Sequence, residues 1–205
     1  MRLFIIAMES EAKDIIKDFK LIQLEPFKVY KRNNDLLAIT GIGKVNAAFV
    51  LTSVSLVYDF DFIVNIGFAG AVGDFKIGDV VAIDNATYHD FDLTVFGYEH
   101  GQVPKLPTYY ESDKTLLSKT SFKKAMLYTG DYFMTKQREG NYVVDMEGTA
   151  LYQVAYLRKT PIVSIKIISD VIGSKNNVED YKDFENKGSL KIYSIINDVC
   201  MKDEI

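Results

Sequence analysis

The chain has 205 residues, 48% hydrophobic and 25% charged, which fits one medium-sized domain with enough apolar material for a sizeable core. Its 24 Lys and Arg against 28 Asp and Glu leave a formal net charge of −4, so no global positive field draws it to phosphate backbones, and nucleic acid is a poor partner. One cysteine, Cys200, and two histidines, His89 and His100, exclude an intrachain disulfide framework and a Cys/His-rich zinc site, leaving carboxylates, hydroxyls, amides and backbone for any chemistry.

The apolar run Leu3-Phe4-Ile5-Ile6-Ala7-Met8 reads as a strand. It is too short for a signal peptide, and the acidic Glu9-Ser10-Glu11 follows where a cleavage site needs small residues. From Glu9 to Phe19, Ala12, Ile15, Ile16 and Phe19 fall at helical spacing. Leu36 to Thr40 is a second strand, closed by Gly41-Ile42-Gly43, and Val45, Ala48, Phe49, Thr52 and Leu56 then mark a helical face. Phe62 to Ile66 is a strand expected to end at Gly67-Phe68-Ala69-Gly70, and Asp79 to Ile83 is another. Ala125 to Thr129, Val143-Val144 and Pro161 to Ile168 complete the predicted strands, with helices at Glu147 to Arg158 and Leu190 to Met201. Two polar loops stand out: His100 to Lys114, carrying Pro104 and Pro107, and the Asn- and charge-rich Gly173 to Asp183, a candidate mobile cover. No apolar stretch approaches the roughly 18–20 residues of a membrane span, so the chain reads as cytoplasmic. Strands that are apolar throughout and separated by helices predict an α/β fold around a mostly parallel sheet. No composition shift marks a domain boundary, so residues 1–205 read as one domain.

Ligands of open α/β sheets bind at the carboxyl ends of strands, and here those ends are acidic or glycine-rich. They are Met8-Glu9-Ser10-Glu11, Gly67-Phe68-Ala69-Gly70, Asp145-Met146-Glu147 and Ser169-Asp170. Asp170 is the sharpest candidate because it emerges from a strand that is buried by composition. Its ordinary alternative is a turn or helix cap; those of Glu147 and Glu11 are a first-turn acid and a solvent-facing helix acid. Taken singly each ordinary alternative is the stronger, but the shared location of the three favours chemistry.

Gly41-Ile42-Gly43-Lys44-Val45-Asn46 supplies two glycines of a dinucleotide fingerprint but has Asn46 in place of the third, so it argues only weakly for NAD. A tight turn that lets backbone approach a ligand or the sheet is the better reading. The aromatics Tyr88, Phe91, Phe96, Tyr98, Tyr109 and Tyr110 are dense enough for a pocket wall or an interface, with core packing at least as good an explanation. Neither histidine is assigned a role.

Seven motifs in order carry a family resemblance: Ala7-Met8-Glu9-Ser10-Glu11, Gly41-Ile42-Gly43-Lys44-Val45, Asn65-Ile66-Gly67-Phe68-Ala69-Gly70, the run from Tyr88 to Glu99, Gly130-Asp131-Tyr132-Phe133, Asp145-Met146-Glu147-Gly148-Thr149-Ala150 and Ile168-Ser169-Asp170. With them the chain resembles the purine nucleoside phosphorylase/nucleosidase superfamily over residues 1 to 200, and within it the 5'-methylthioadenosine/S-adenosylhomocysteine nucleosidases. The resemblance implies a three-layer α/β/α domain with a mixed, partly barrel-like sheet, a homodimer, and no metal or organic cofactor. It implies hydrolysis of the bond between adenine and ribose C1' in a small-molecule purine nucleoside, with water as acceptor. Asp170 would protonate adenine N7, Glu11 would activate water, and Glu147, with Met146 beside it, would accept hydrogen bonds from the ribose hydroxyls. Phe133 would stack on the purine, the Met134 backbone would read its edge, Ser169 would place Asp170, and Gly70 belongs to the same substrate-binding set. Met8, Ile42 and Tyr181 would finish the 5' pocket, together with Phe96, Tyr98 and Pro104 from a partner subunit.

The chain departs from the family's usual residues at three positions: Phe68 stands where serine is usual, Asp145 for glutamate and Lys166 for arginine. Lysine keeps the charge but loses the planar fork. Phe68 leaves another purine nucleoside, such as a futalosine-like compound, as an alternative substrate. A weakened homologue that only binds nucleosides is a second alternative, and a Rossmann dehydrogenase a distant third. A phosphate acceptor wants clustered arginines; the chain has Arg2, Arg32, Arg138 and Arg158, none at the expected strand ends, so water is favoured.

Overall fold

A computed structural model describes residues 1–136, 139–174, 177–185 and 187–201. In chain order the elements are β1 (Arg2–Ile6), α1 (Glu9–Ala12), a 3-10 turn over Ile15–Asp18, β2 (Lys20–Gln23), β3 (Val29–Arg32), β4 (Asp35–Ile39), α2 (Lys44–Val57), β5 (Phe62–Val72) and β6 (Val80–Tyr88). After a 3-10 turn at Thr94–Phe96 follow β7 (Tyr110–Glu111), α3 (Lys114–Ser118), β8 (Lys123–Thr129), β9 (Tyr142–Asp145), α4 (Gly148–Arg158), β10 (Ile162–Val171), α5 (Asn177–Glu185) and α6 (Ser189–Met201). No helix among the described residues is long and apolar enough to cross a membrane.

The strands form one sheet in the order β10-β6-β8-β9-β5-β1-β4-β3-β2, with β7 on the outer part of β6. Strand β10 also pairs with β5, which closes β10, β6, β8, β9 and β5 into a five-strand barrel and leaves β1, β4, β3 and β2 as an open wing. Among the described residues parallel and antiparallel pairings are equally numerous, so the mostly parallel sheet read from strand composition is corrected to a mixed one. Continuous apolarity reports only that both faces of a strand are covered. In a barrel that holds for antiparallel neighbours such as β5 and β9 as well.

Alternation along β1 shows the layering. Leu3 and Ile5 join the core that includes Ala47, Val50, Leu51 and Val54 of α2 and Leu151 of α4. Phe4 and Ile6 join the opposite core with Ala12, Ile15 and, from α6, Ile192 and Ile196.

Four local expectations change. The helix read over 9–19 is one α-turn plus a 3-10 turn that begins at the β-branched pair Ile15-Ile16. Strand β5 runs on through Gly67-Phe68-Ala69-Gly70 instead of turning there. The polar loop read over 100–114 includes the short strand β7. Part of the stretch read as a loop over 173–183 is helix α5, whose first turn carries Glu179 and Asp180 at the positive end of the helix dipole; residues 175 and 176 lie outside the described set.

Candidate active site

The carboxyl ends of β1, β5, β9 and β10 converge on an open pocket enclosing about 590 Å3, solvent at its mouth included. Its lining contains Met8, Ile42, Gly70, Phe133, Met134, Met146, Glu147, Ser169, Asp170 and Tyr181, which are ten of the residues singled out from sequence. Glu11 lies just behind the wall, its carboxylate bonded to wall amides. Phe96, Tyr98 and Pro104 do not line this pocket within one chain. Ala7, Phe68, Ala69, Tyr132, Val144, Asp145 and Ile172 complete it. Tyr132 lies in the Gly130-Asp131-Tyr132-Phe133 motif but is assigned no role of its own from sequence, and Ile172 is an ordinary apolar residue just past β10 with nothing in the local sequence to mark it.

The ordinary alternatives for the three acids do not describe where they sit. Glu11 is buried: its carboxylate accepts from the Met8 amide at 3.0 Å and from the Phe68 amide at 2.7 Å. Burial raises its pKa, opposed by the Phe68 amide and the Lys166 charge. A Cβ on Gly67 would come within 2.9 Å of Glu11 Oε1, so the glycine inside β5 makes room for the carboxylate.

Asp170 lies within β10, not at a cap, and is 1% exposed. Register slips by one residue between Ile168 and Asp170, so Ser169 is the extra residue of a bulge. The bulge turns Ser169 Oγ back to donate to Asp170 Oδ1 at 2.7 Å, with a second contact at 3.2 Å to the Ala69 carbonyl. Opposite it, a Cβ on Gly70 would approach Asp170 Oδ2 to 3.0 Å and Ile172 to 3.2 Å.

Glu147 is the residue before α4, yet its side chain makes no capping bond to that helix. Its Oε1 accepts instead from the Gly43 amide, at 2.8 Å, across 104 residues of sequence. The cap of α4 is supplied by Asp145, whose Oδ2 accepts from the Gly148 amide at 2.9 Å and whose Oδ1 accepts from Thr129 Oγ1 at 2.6 Å. Lys166 of β10 reaches across the barrel to Asp145 Oδ2 at 2.8 Å, with both side chains buried. Burial, then the Asp145 charge, pushes the Glu147 carboxyl up to about 7. The Lys166 ammonium is also raised: burial pulls it down, but Asp145, Glu147 and Glu11 outweigh that.

The raised Glu147 carboxyl fixes a sign. The folded state holds this proton more tightly than the unfolded chain, so the stability it contributes is complete below about 4.5 and is lost as pH rises to about 7. Glu147→Gln is therefore expected to be more stable than the parent at pH 8, by about 2–3 kcal/mol, with the advantage gone at pH 4. Urea denaturation at the two pH values checks this; equal differences at both would refute it.

Phe68 lines the pocket while its ring packs edge-on against Phe184 of α5, centroids 5.1 Å apart, and against Gly188, where a Cβ would fall 2.4 Å from the ring. Helix α5 is held over the pocket by further contacts: Tyr181 Oη lies 3.6 Å from Met8 Sδ, the Tyr181 ring meets Phe133 at 5.5 Å, and Ser10 Oγ donates to Glu185 at 2.9 Å.

The Gly41-Ile42-Gly43 turn has its α2 amides engaged by protein carboxylates: Gly43 N by Glu147 and Lys44 N by Asp131 at 3.0 Å. That occupancy removes the dinucleotide-cradle reading. Tyr88 and Tyr110 are buried, Phe96 is exposed, and Tyr109 and Tyr110 line a separate groove, so the aromatic cluster read from sequence does not form one wall of the acid pocket. His89 is buried edge-on against Tyr132 at 4.7 Å. Arg2 pairs with Asp35 at 2.7 Å, Arg32 with Asp18 at 3.7 Å, and Arg158 donates to the Ser55 carbonyl at 3.0 Å; Arg138 lies outside the described residues. Among the described residues lining the acid pocket, none is basic.

The model of the phosphorylase superfamily matches residues 2–200, which places this closed barrel with buried carboxylates at its strand ends in that superfamily. A Staphylococcus epidermidis 5'-methylthioadenosine/S-adenosylhomocysteine nucleosidase is 32% identical over 210 residues, covering 90% of this chain and 92% of that protein. The Staphylococcus carnosus nucleosidase of the same name is 36% identical, covering 84% and 87%. Among solved structures, the Neisseria meningitidis nucleosidase in complex with methylthio-immucillin-A superposes with a TM-score of 0.84 at 28% identity, covering 92% of this chain and 93% of that one. The chain belongs to the 5'-methylthioadenosine/S-adenosylhomocysteine nucleosidase family of that superfamily.

Proposed function

We propose that this protein hydrolyses the N-glycosidic bond of 5'-thio-substituted adenosines, 5'-methylthioadenosine and S-adenosylhomocysteine, and releases adenine. The observation that carries the reading is the buried trio of Glu11, Glu147 and Asp170 around one pocket, in a chain of this family.

Breaking the C1'–N9 bond sends its electron pair to the purine and leaves positive charge on the ribose. Asp170 delivers a proton to N7, so adenine departs neutral, and Ser169 holds the carboxyl in place for that transfer. Glu11 takes a proton from the water that attacks C1'; the new C1'–OH bond completes the exchange, with Asp170 ending ionised and Glu11 protonated. Two carboxyl groups dividing acid and base work is the logic of inverting glycosidases. Glu147 accepts from the ribose hydroxyls, and its negative charge faces the developing cation. Phe133 supplies a face for the purine, the Met134 backbone its edge contacts, and Met8, Ile42, Met146 and Tyr181 surround the sugar and its 5' substituent beside Gly70.

Water is the acceptor because a phosphate dianion would sit beside buried carboxylates without a basic residue on the described wall. A second copy of the chain completes the mouth with Phe96, Tyr98 and Pro104, a reading supported by Phe96 being 74% exposed on the loop that follows β6 and absent from the pocket of its own chain. The test is adenine release from 5'-methylthioadenosine with and without phosphate. Equal rates are expected; release that requires phosphate, or that occurs only from other purine nucleosides, overturns the reading.

A further inference from the structure

We propose that Lys44 is a positioning residue for the reaction, acting through the Gly43 amide to set the orientation and charge of the sugar carboxylate Glu147. The inference rests on the proposed sugar-binding role of Glu147 and adds the device that holds it.

Three loops meet at the start of α2. Lys44 Nζ donates to both oxygens of Asp90, after β6, at 2.7 Å each, and lies 3.6 Å from Asp131, after β8. The Asp131 amide donates to Asp90 at 2.8 Å, and Asp131 Oδ1 accepts the Lys44 amide at 3.0 Å. The lysine head also stands 5.3 Å from the centre of the Tyr88 ring. These bonds fix the peptide that precedes Lys44. Gly43 has φ 100 and ψ 155, which glycine adopts without strain, and this aims its N–H at Glu147 at 2.8 Å. Asn46 fastens the same turn from within, its Nδ2 donating to the Ile42 carbonyl at 2.8 Å.

The device matters because of what else faces Glu147. Asp145 from β9 and Glu11 from α1 oppose its ionisation, and Tyr181 from α5 and Asp170 from β10 stand around the same pocket. Lys166 favours the ionised form, but its bond is made to Asp145. The Gly43 amide is the hydrogen bond to the Glu147 carboxylate that offsets burial and repulsion, and the positive end of the 14-residue helix α2 lies behind it. A carboxylate so balanced depends on the angle of the Ile42–Gly43 peptide, which the Gly43 dihedrals join to the Gly43–Lys44 peptide that Asp131 and the Lys44 ion pairs hold.

The test uses the full chain as wild type, Lys44→Met, Lys44→Arg and Asp131→Ala. Glu147 is titrated by carbon-13 NMR on side-chain-labelled glutamate, assigned from the signal lost in Glu147→Gln, and kcat and KM for adenine release are followed from about pH 5 to about pH 9. Lys44→Met is expected to move the Glu147 midpoint upward by about one pH unit, a tenfold smaller ionised fraction on the acid side. The acid limb of kcat/KM should move with it, KM should carry most of the loss at pH 7, and Lys44→Arg should restore both. An unchanged midpoint and pH profile in Lys44→Met overturn the proposal, as does a loss confined to kcat. If Lys44→Met does not fold, Asp131→Ala, which keeps the Lys44–Asp90 bond but frees the Lys44 amide, carries the same expectation and the same refutation. A wild-type chain that releases no adenine would defeat the functional reading alone, because the NMR midpoints still judge the link from Lys44 to Glu147.

Discussion

Asp170→Asn is expected to lower adenine release about 1,000-fold or more while nucleoside affinity stays within about threefold. The side-chain amide has the shape of the carboxyl and can still donate a hydrogen bond toward purine N7, so binding persists. It cannot hand over a proton, so the purine must leave as an anion, and the loss falls on kcat. The environment supports so clean a substitution: Asp170 is 1% exposed, Ser169 Oγ can donate to an amide oxygen as it does to Oδ1, and glycine at position 70 leaves room on the other side. A 5'-thio-riboside whose leaving group needs no protonation should lose far less rate in the variant. Turnover within tenfold of the parent on methylthioadenosine, or an equal loss on both substrates, would remove Asp170 from the acid role.

What could be read in the sequence, and what could not, follows from the range of the interactions. The three acids were visible because each follows a run of buried apolar residues, and a charge just past such a run marks the pocket end of a strand. The glycines near them are equally visible, but the sequence predicts the wrong role for them. Gly67 and Gly70 looked like turn formers, whereas β5 continues through both, and each lacks a side chain because a carboxylate needs the space. Composition alone cannot separate a turn from a close approach. The hairpin β2–β3 escaped because Lys20, Leu21 and Lys31 are exposed and show no clear alternation, and its register depends on the neighbouring β4. The mixed order of the barrel was hidden for the reason that burial of both faces leaves no trace of strand direction. The partner of Glu147 is beyond any local pattern: the Gly43 amide is 104 residues away, in a turn whose glycines predict a close backbone approach to a ligand or the sheet but not to which side chain.

The buried pair Lys166–Asp145 is where the second large effect is expected, and it joins stability to chemistry. Lys166→Met should cost about 3–5 kcal/mol, the range for leaving one side of a buried ion pair without its partner. Asp145 would keep its bonds from Thr129 and the Gly148 amide, but its charge would lose its counter-ion. Because the ammonium also lowers the pKa of both Glu11 and Glu147, its loss should raise both carboxyls further and move the acid limb of kcat/KM to higher pH. The two consequences separate in the double variant Lys166→Met with Asp145→Asn. Neutralising both partners leaves Asn able to accept from Thr129 or Gly148, so most of the lost stability should return, and the shortfall from additivity measures the pair. Removing Asp145 also removes the larger of the charges that oppose ionisation of Glu147, so part of the pH shift should reverse as well. Glu11, for which Asp145 is not among the main influences, should stay raised. A Lys166→Met variant as stable as the parent would show that the barrel tolerates an unpaired Asp145, a double variant no more stable than the single would show that the unpaired Asp145 is not what the loss comes from, and an acid limb that stays in place would show that the lysine does not set the charge of the two glutamates.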